Sequence, residues 1–231
     1  AVVAPVMQGR LQGNGHAAFR YLATDSRKIS FPNDTLFFAL TTSRRNGHAF
    51  VADAYAQGVR LFVVSEPVDA AFDEATFITV ANTLQALQLL AAWHRRQFQL
   101  PVVGITGSNG KTIVKEWLYE MLQDEENIVR SPKSFNSQIG VPLSVWQLHG
   151  QATMGIFEAG ISQEGEMQKL ADIIHPTIGI FTMLGDAHNE GFASPLQKLQ
   201  EKFRLFENCS HLICHTDDAM VCEQANAFKG K

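Results

Sequence analysis

The chain has 231 residues, of which 45% are hydrophobic and 18% are charged, and its formal net charge is −4. This composition is typical of a folded globular protein and excludes a disordered or fibrous chain. The negative charge argues against a general nucleic-acid-binding protein, which usually presents a basic face to phosphates. No apolar run reaches the roughly 18 residues that cross a bilayer, and the first residues do not resemble a secretion signal, so we expect a cytoplasmic protein.

The first part of the chain predicts a small α/β domain over residues 1–98. Short aromatic and β-branched runs, which favour strands, alternate there with segments whose apolar residues recur at helical spacing. The predicted elements are strands at 35–40, 60–64 and 76–80, a helix at 48–57, and a longer helix that is capped by Asn82.

The second part, residues 99–231, predicts a parallel sheet covered by helices. Its continuous apolar runs suit strands that are buried on both faces. These runs lie at 102–105, 154–157, 178–181 and 212–214. One intervening helix is expected to bury a single apolar face. That face comprises Ile113, Val114, Trp117, Leu118, Met121 and Leu122.

A glycine-rich loop joins the strand at 102–105 to the following helix. Its glycines allow backbone N–H groups to turn toward an anion, and the helix N-terminus adds a partial positive charge. In such a loop Lys111 reaches the β- and γ-phosphates of a nucleotide, and the Thr112 hydroxyl ligates Mg²⁺. The spacing is unusual, since only two residues separate Gly107 from Gly110, and an ordinary strand-to-helix turn is the alternative. The predicted ATP-binding residues of the loop are Thr106, Gly107, Ser108, Asn109, Gly110, Lys111 and Thr112.

The sequence TGSNGKT after a parallel strand resembles the Mur ligase family, the ATP-dependent amino-acid and peptide ligases of bacterial cell-wall synthesis. Segments along nearly the whole chain extend this resemblance in the same order. They are residues 25–28, 35–40 and 46–50 in the first part, and 134–143, 157–167 and 187–192 in the second. The resemblance implies a small N-terminal α/β domain that binds the UDP-sugar, an incomplete P-loop parallel-sheet ATP-binding domain, and the absence of the family's third domain.

Within the family, residues 25–28, 110–116 and 187–192 are most similar to the members that join D-alanyl-D-alanine to UDP-N-acetylmuramoyl-tripeptide. The resemblance therefore implies an ATP- and Mg²⁺-dependent amide ligase that proceeds through an acyl phosphate. We expect a monomer with no nucleic-acid partner and no membrane span, and we expect the incomplete chain to be inactive alone.

The resemblance also implies roles for individual residues. Glu158 follows a predicted strand at its carboxyl end, where open α/β sheets place their ligands. Lys202 lies 14 residues after His188 and resembles the family lysine that is carbamylated by CO₂. The implied catalytic residues are Lys111, His188 and Lys202, the implied metal ligands are Thr112, Glu158 and His188, and the implied substrate-binding residues are Ser26, Arg27, Asn136 and Ser137, with Asn136 also contacting ATP.

Each of these roles has a structural alternative. Glu158 could be an exposed charge that ends a strand, and His188 a surface histidine. Lys198 competes with Lys202, and both could lie on a solvated helix face. The remaining alternatives are helix caps at Asn136 and Ser137, a surface position for Arg27, and loss of the family's adenine contact where His215 replaces its asparagine.

Three alternative functions stay open on the sequence alone. The first is another ligase of the same superfamily, acting on folate or on a different cell-wall peptide. The second is a nucleotide-sugar-binding module without turnover. The third is an ordinary P-loop NTPase, which the absence of an apolar run ending in Asp for the second metal contact disfavours.

Overall fold

The computed structural model describes residues 2–42, 45–68, 72–185 and 189–230. The chain divides into two compact units, Ala1–Leu90 and Ala91–Lys231. Each unit contains a sheet with parallel strands and flanking helices, which confirms the predicted α/β class. Over the described ranges, no helix combines the length and the apolar character that a membrane span requires. The domain boundary near residue 98 stays a prediction.

The first unit contains short strands and helices that alternate along the chain. Its elements are α1 Val3–Val6, β1 Arg10–Gln12, β2 Tyr21–Ala23, β3 Thr35–Phe38, β4 Thr41–Thr42, β5 Arg45–Asn46, α2 Val51–Ala56, β6 Leu61–Val64, β7 Thr76–Thr79 and the first part of α3 Thr83–Arg95, which ends in the second unit, with 3₁₀ turns at Ser26–Lys28, Pro32–Asp34 and Gly47–Phe50. The sheet order is β1-β7-β6-β3-β2, with only β1 antiparallel to its neighbour, and β4 and β5 form a separate antiparallel pair. Its core includes the edge-to-face pair Phe37 and Phe62.

Two predicted boundaries in this unit were wrong. The strand predicted to reach Leu40 ends at Phe38, because the Leu40 N–H donates to the Phe38 carbonyl and turns the chain. The helix predicted at 48–57 begins as a 3₁₀ turn and becomes α-helical at Val51. The cap at Asn82 is confirmed, since its Oδ1 accepts a hydrogen bond from the Gln85 N–H at 2.9 Å.

The second unit is a parallel sheet with helices between successive strands. Its elements are β8 Val102–Thr106, α4 Lys111–Leu122, β9 Ile128–Arg130, α5 Gly140–Val145, β10 Met154–Glu158, α6 Glu166–Ile174, β11 Ile178–Phe181, α7 Pro195–Phe203, β12 His211–Cys214 and α8 Ala219–Asn226, with 3₁₀ turns at Asn189–Gly191 and Arg204–Phe206. The sheet order is β12-β11-β8-β10-β9, and every neighbouring pair is parallel. The carboxyl ends of β8, β10 and β11 therefore meet at one edge, the usual ligand site of such sheets.

Burial on both faces is confirmed for the central strands and was wrong for the last one. All of β8 is buried, whereas β12 alternates between exposed and half-buried residues. β12 forms the edge of the sheet and pairs only with β11 among the described strands, so one side of it stays uncovered. The two exposed residues of β12, His211 and Ile213, share one face of the strand, and Ile213 is 56% exposed.

The predicted single apolar face of α4 divides into two stripes. Val114 and Leu118 pack against the buried strand residues of the sheet. Ile113, Trp117 and Met121 are 57%, 66% and 76% exposed. Side chains four positions apart share one stripe, and the next residue along a helix lies about 100° away. The sheet covers only one of the two stripes, so the prediction of one buried face was wrong.

Candidate functional site

The glycine-rich loop connects β8 to α4 with two glycines in conformations that other residues rarely adopt. Gly107 has φ of +144° and Gly110 has φ of +83°. A Cβ added at Gly107 would lie 2.0 Å from Thr182 Oγ1. Both the dihedral angle and the close approach of Thr182, which directly follows β11, therefore require glycine at this position.

The chain that follows β11 holds this loop in place. The Ser108 N–H donates to the Met183 carbonyl at 2.8 Å, and Ser108 Oγ donates to the Gly185 carbonyl at 3.0 Å. Thr182 Oγ1 donates to the Asn109 carbonyl at 2.6 Å. The loop is thus fixed by hydrogen bonds to a segment more than 70 residues later in the chain.

Lys111, the first residue of α4, folds back over the loop. Its Nζ donates to the Gly107 carbonyl at 2.8 Å and to the Ser108 carbonyl at 3.2 Å. Burial lowers the pKa of Lys111 below its ordinary value, and the negative charge of Glu158 opposes this shift. The ammonium lies where a phosphate held by the loop amides would meet it.

Glu158 ends β10 and is fully buried, so its alternative interpretation as an exposed charge was wrong. Its Oε2 accepts a hydrogen bond from Thr112 Oγ1 at 3.0 Å and another from Asn136 Nδ2 at 3.3 Å. Three separate crossovers of the sheet therefore bring a carboxylate, a hydroxyl and an amide together beside the glycine loop.

A divalent cation fits these side chains. Glu158 Oε1 is buried and accepts no aligned hydrogen bond from a described residue, although Lys115 Nζ lies 3.0 Å from it. That oxygen already faces an ammonium, whereas Oε2 lies 3.0 Å from the Thr112 hydroxyl oxygen, and a carboxylate and a hydroxyl are hard oxygen donors of the kind that Mg²⁺ takes. No three acidic, histidine or cysteine side chains cluster among the residues described. Mg²⁺ tolerates so few protein ligands, because it usually keeps several waters and binds substrate phosphates.

Lys198 and Lys202 are both buried on α7, so their interpretation as a solvated helix face was wrong. Lys202 Nζ donates to the Gly107 carbonyl at 3.3 Å, and Lys198 Nζ donates to the Gly185 carbonyl. Burial chiefly, and then the charges of Lys111 and Lys198, lower the pKa of Lys202 to about 7. Lys111 and Lys202 thus contact the glycine loop, Lys198 contacts the segment that holds the loop in place, and a pKa of about 7 leaves Lys202 partly uncharged near neutral pH.

Asn136 and Ser137 lie in the loop before α5 and differ in what they contact. Asn136 reaches Glu158, as described, and its carbonyl accepts the Gly160 N–H at 2.8 Å. Ser137 Oγ accepts the Gly140 N–H at 3.1 Å and so satisfies the first N–H of α5. The structure brings Asn136 into the site and gives Ser137 the contact that a cap makes.

Ser26 and Arg27 belong to the first unit. Ser26 is buried in a 3₁₀ turn that the Asp25 carboxylate caps through the Arg27 N–H. The Arg27 guanidinium forms two hydrogen bonds with the same carboxylate, at 2.9 and 2.7 Å, while its side chain is 74% exposed. An exposed, pre-oriented guanidinium is suited to an anionic ligand.

Of the two histidines considered from the sequence, the structure describes His215 and not His188. His188 lies outside the described residues, as do its neighbours Asp186 and Ala187. His215 follows β12, and its Nε2 is buried without a hydrogen-bond partner among the residues described. The loss of adenine contact at His215 stays a prediction.

Lys115 is a charged group of this site to which the sequence analysis assigned no role. Its side chain is fully buried, and its Nζ lies 3.0 Å from Glu158 Oε1. The helical spacing contained a signal, since Lys115 is one turn after Lys111 and one turn before Leu118, which packs on the sheet. Apolar residues occupy both stripes of α4, however, so only the packing of the sheet shows that this spacing buries Lys115.

Comparison with known proteins agrees with this geometry. Residues 105–231 match the protein family described as Mur ligase middle domain. A relative from Synechocystis, named UDP-N-acetylmuramoyl-tripeptide--D-alanyl-D-alanine ligase, is 33% identical over 210 residues and matches 90% of this chain. The match covers 46% of that relative, so the chain spans about half its length.

Solved structures are similar over nearly the whole chain. A crystal structure of MurF from Acinetobacter baumannii superposes with a TM-score of 0.88 at 27% identity, covering 97% of this chain and 50% of that one. MurF from Thermotoga maritima in complex with ADP gives a TM-score of 0.81 at 24% identity, covering 94% and 50%, and at this identity the likeness shows the shared fold. Because the matched family segment exceeds half of the sequence and contains both the glycine loop and Glu158, the chain belongs to the Mur ligase family.

Proposed function

We propose that this chain is the nucleotide- and nucleotide-sugar-binding part of a ligase that joins D-alanyl-D-alanine to UDP-N-acetylmuramoyl-tripeptide. One observation carries the proposal: Thr112, which directly follows the glycine loop and Lys111, donates a hydrogen bond through its hydroxyl to the fully buried carboxylate of Glu158. The name of the Synechocystis relative specifies D-alanyl-D-alanine and the UDP-N-acetylmuramoyl-tripeptide, which favours these substrates over folate or another cell-wall peptide.

The proposed reaction has two steps. The terminal carboxylate of the tripeptide attacks the γ-phosphorus of ATP, which forms an acyl phosphate and releases ADP. The amino group of D-alanyl-D-alanine then attacks the acyl carbon, so that an amide bond forms, phosphate leaves and the amine loses a proton. Both steps concentrate negative charge on the transferred phosphoryl group, and positioned cations therefore supply most of the catalysis.

The residues of the glycine loop have defined tasks in this proposal. The amides of residues 107–112 hold the phosphates, and the Lys111 ammonium neutralises charge on the transferred group. Thr112 and Glu158 would hold Mg²⁺, which when bound polarises the phosphoryl oxygens. His188 is proposed as a further metal ligand and catalytic residue.

Lys202 is proposed to react with CO₂. Its uncharged amine attacks the carbon of CO₂, so that an N–C bond forms while one C=O π bond breaks and its electron pair moves to oxygen; the nitrogen then loses one proton to solvent, which leaves a carbamate anion. A pKa near 7 supports this proposal, because a substantial fraction of the amine is then uncharged at neutral pH. The anion would also relieve repulsion among Lys111, Lys198 and Lys202.

Ser26 and Arg27 are proposed as substrate-binding residues of the first unit, and Asn136 and Ser137 are proposed separately as substrate-binding residues of the second. The exposed Arg27 guanidinium supports the first assignment, and the position of Asn136 beside Glu158 supports the second. We also propose a cytoplasmic location and a monomer. The chain alone is proposed to bind nucleotides without forming amide, because it spans about half of its relatives and domain closure assembles many such sites.

Equilibrium binding to the purified chain tests this proposal. ATP with Mg²⁺ and UDP-N-acetylmuramoyl-tripeptide should bind, and folate should not. Lys111→Ala should abolish ATP binding, whereas Lys169→Ala, which removes an exposed lysine from α6, should not affect it. Tight folate binding without sugar-nucleotide binding would overturn the substrate assignment, and unchanged ATP affinity in Lys111→Ala would overturn the phosphate-loop assignment.

A further inference from the structure

Lys115 has an environment that is unusual for a lysine side chain. It is fully buried, and its Nζ donates to the carbonyls of Ser131, at 2.8 Å, and Lys133. The same Nζ lies 3.0 Å from Glu158 Oε1 and 2.9 Å from Glu116 Oε1. A buried ammonium is costly unless it is paired and hydrogen-bonded, and here two carbonyls and two carboxylates surround it.

These contacts connect three elements that meet at the proposed nucleotide site. Lys115 lies on α4, one turn after Lys111. The carbonyls that it binds belong to the turn before Asn136, in which Lys133 has a left-handed φ of +51°. The ammonium satisfies a carbonyl of this strained turn, and it also faces the carboxylate at the end of β10.

The two oxygens of Glu158 consequently have different surroundings. Oε1 faces the Lys115 ammonium, and Oε2 faces Thr112 Oγ1 and Asn136 Nδ2. An unpaired carboxylate at full burial would be strongly destabilised. Lys115 therefore supplies the partner of this buried carboxylate and, by holding Oε1, leaves Oε2 directed toward Thr112 and the glycine loop.

We infer that Lys115 is a positioning residue of the ligase, which orients Glu158 and the turn that carries Asn136 so that a Mg²⁺–nucleotide is held at Thr112. This inference rests on the proposed function and extends it to a residue that contacts neither phosphate nor metal. Partners of this kind, which orient metal ligands, typically change metal affinity or activity 10- to 100-fold when they are removed.

The test compares nucleotide affinity with and without Mg²⁺ in four forms of the chain. ADP is titrated into the wild type, Lys115→Met, Glu158→Gln and the double variant, each in EDTA and in Mg²⁺. Lys115→Met should reduce the Mg²⁺-dependent gain in affinity about 10-fold and leave affinity in EDTA nearly unchanged. In the Glu158→Gln background the same substitution should have little further effect, because Lys115 acts through that carboxylate.

Glu116→Gln is the matched control. Glu116 pairs with the same ammonium at a similar distance but is partly exposed and has no contact with Glu158 in the described structure. Its substitution should leave the Mg²⁺-dependent gain unchanged. A merely structural Lys115 would instead lower affinity equally in EDTA and in Mg²⁺, and its effect would persist in the Glu158→Gln background; either result overturns the inference.

A variant that fails to fold does not remove the test. The double variant lacks both buried charges, so its ADP affinity can be compared with that of Glu158→Gln alone. Equal Mg²⁺-dependent gains in ADP affinity support the inference. A clearly smaller gain in the double variant overturns it. If the wild type shows no Mg²⁺-dependent binding, the proposed function fails together with the inference. Normal wild-type binding with a Lys115→Met variant that behaves identically overturns the inference alone.

Discussion

Replacing Gly107 by alanine should destabilise the second unit strongly, and the structure separates two causes. The first is the left-handed φ of +144°, which costs an L-residue about 1–2 kcal/mol. The second is the position of the added Cβ, which would lie 2.0 Å from Thr182 Oγ1 and about 3 Å from the Met183 backbone. Overpacking of this kind typically costs about 1–3 kcal/mol. The expected loss of unfolding free energy is therefore about 2–5 kcal/mol.

Two other glycines of the same unit provide matched controls. Gly165 has a φ of +79° but open space around its Cβ position, so Gly165→Ala should show the dihedral cost of about 1–2 kcal/mol alone. Gly150 has open space and no left-handed φ, and Gly150→Ala should be neutral or stabilise by up to about 1 kcal/mol. Urea unfolding followed by tryptophan fluorescence measures the difference, because Trp93, Trp117 and Trp146 all belong to this unit.

A double-mutant cycle identifies the clash directly. Thr182→Ala removes the hydroxyl nearest to the added methyl group, so it should cost less in the Gly107→Ala background than in the wild type. The reasoning is refuted if Gly107→Ala is no more destabilising than Gly165→Ala, or if Thr182→Ala costs the same in both backgrounds.

Three further predictions concern titration, thiol reactivity and capping. The pKa of Lys202 is about 7 in the folded chain, which is below its unfolded value, so the unfolded chain binds more protons above pH 7. In CO₂-free buffer the unfolding free energy should therefore rise from pH 7 toward pH 10, and Lys202→Met should flatten this rise. The same variant should lose any ¹³C-carbamate NMR signal that the wild type shows with ¹³C-bicarbonate. Burial raises the pKa of the Cys209 thiol to about 12. After iodoacetamide treatment at pH 8, mass spectrometry should find this thiol unmodified in folded protein and modified in urea. Rapid labelling of the folded chain would contradict its burial. Ser137→Ala should lower the free energy of unfolding by about 1 kcal/mol, because it removes the capping hydrogen bond. It should leave Mg²⁺–ADP affinity unchanged in titration calorimetry, whereas Asn136→Ala should weaken that affinity. Equal effects of the two substitutions on binding would contradict the different contacts of their side chains.

The glycine loop and the apolar strands at 102–105, 154–157 and 178–181 could be predicted from the sequence because both are local properties, whereas strand β9 at Ile128–Arg130 was not predicted. A strand, its loop and the next helix are contiguous, so residues 102–122 contain the whole pattern of a phosphate site. The motifs that resemble the family lie in the same order along the chain, and the match at residues 105–231 confirmed the family. The division of α4 into a buried and an exposed stripe was not predicted, because apolar residues occupy both stripes and only the sheet selects one.

The sequence by itself determined the α/β class, the phosphate loop, the family, and the identity of most residues that converge on the loop. Only the tertiary structure decided which charges are buried and what they contact. Thr112 and Glu158 are 46 positions apart, and Lys202 and Gly107 are 95 apart. Burial and pairing of a charge depend on such distant neighbours, which no local pattern encodes. Lys115 and Lys198 therefore look like ordinary surface lysines in the sequence, and they are buried because α4 and α7 pack against the sheet with these side chains inward.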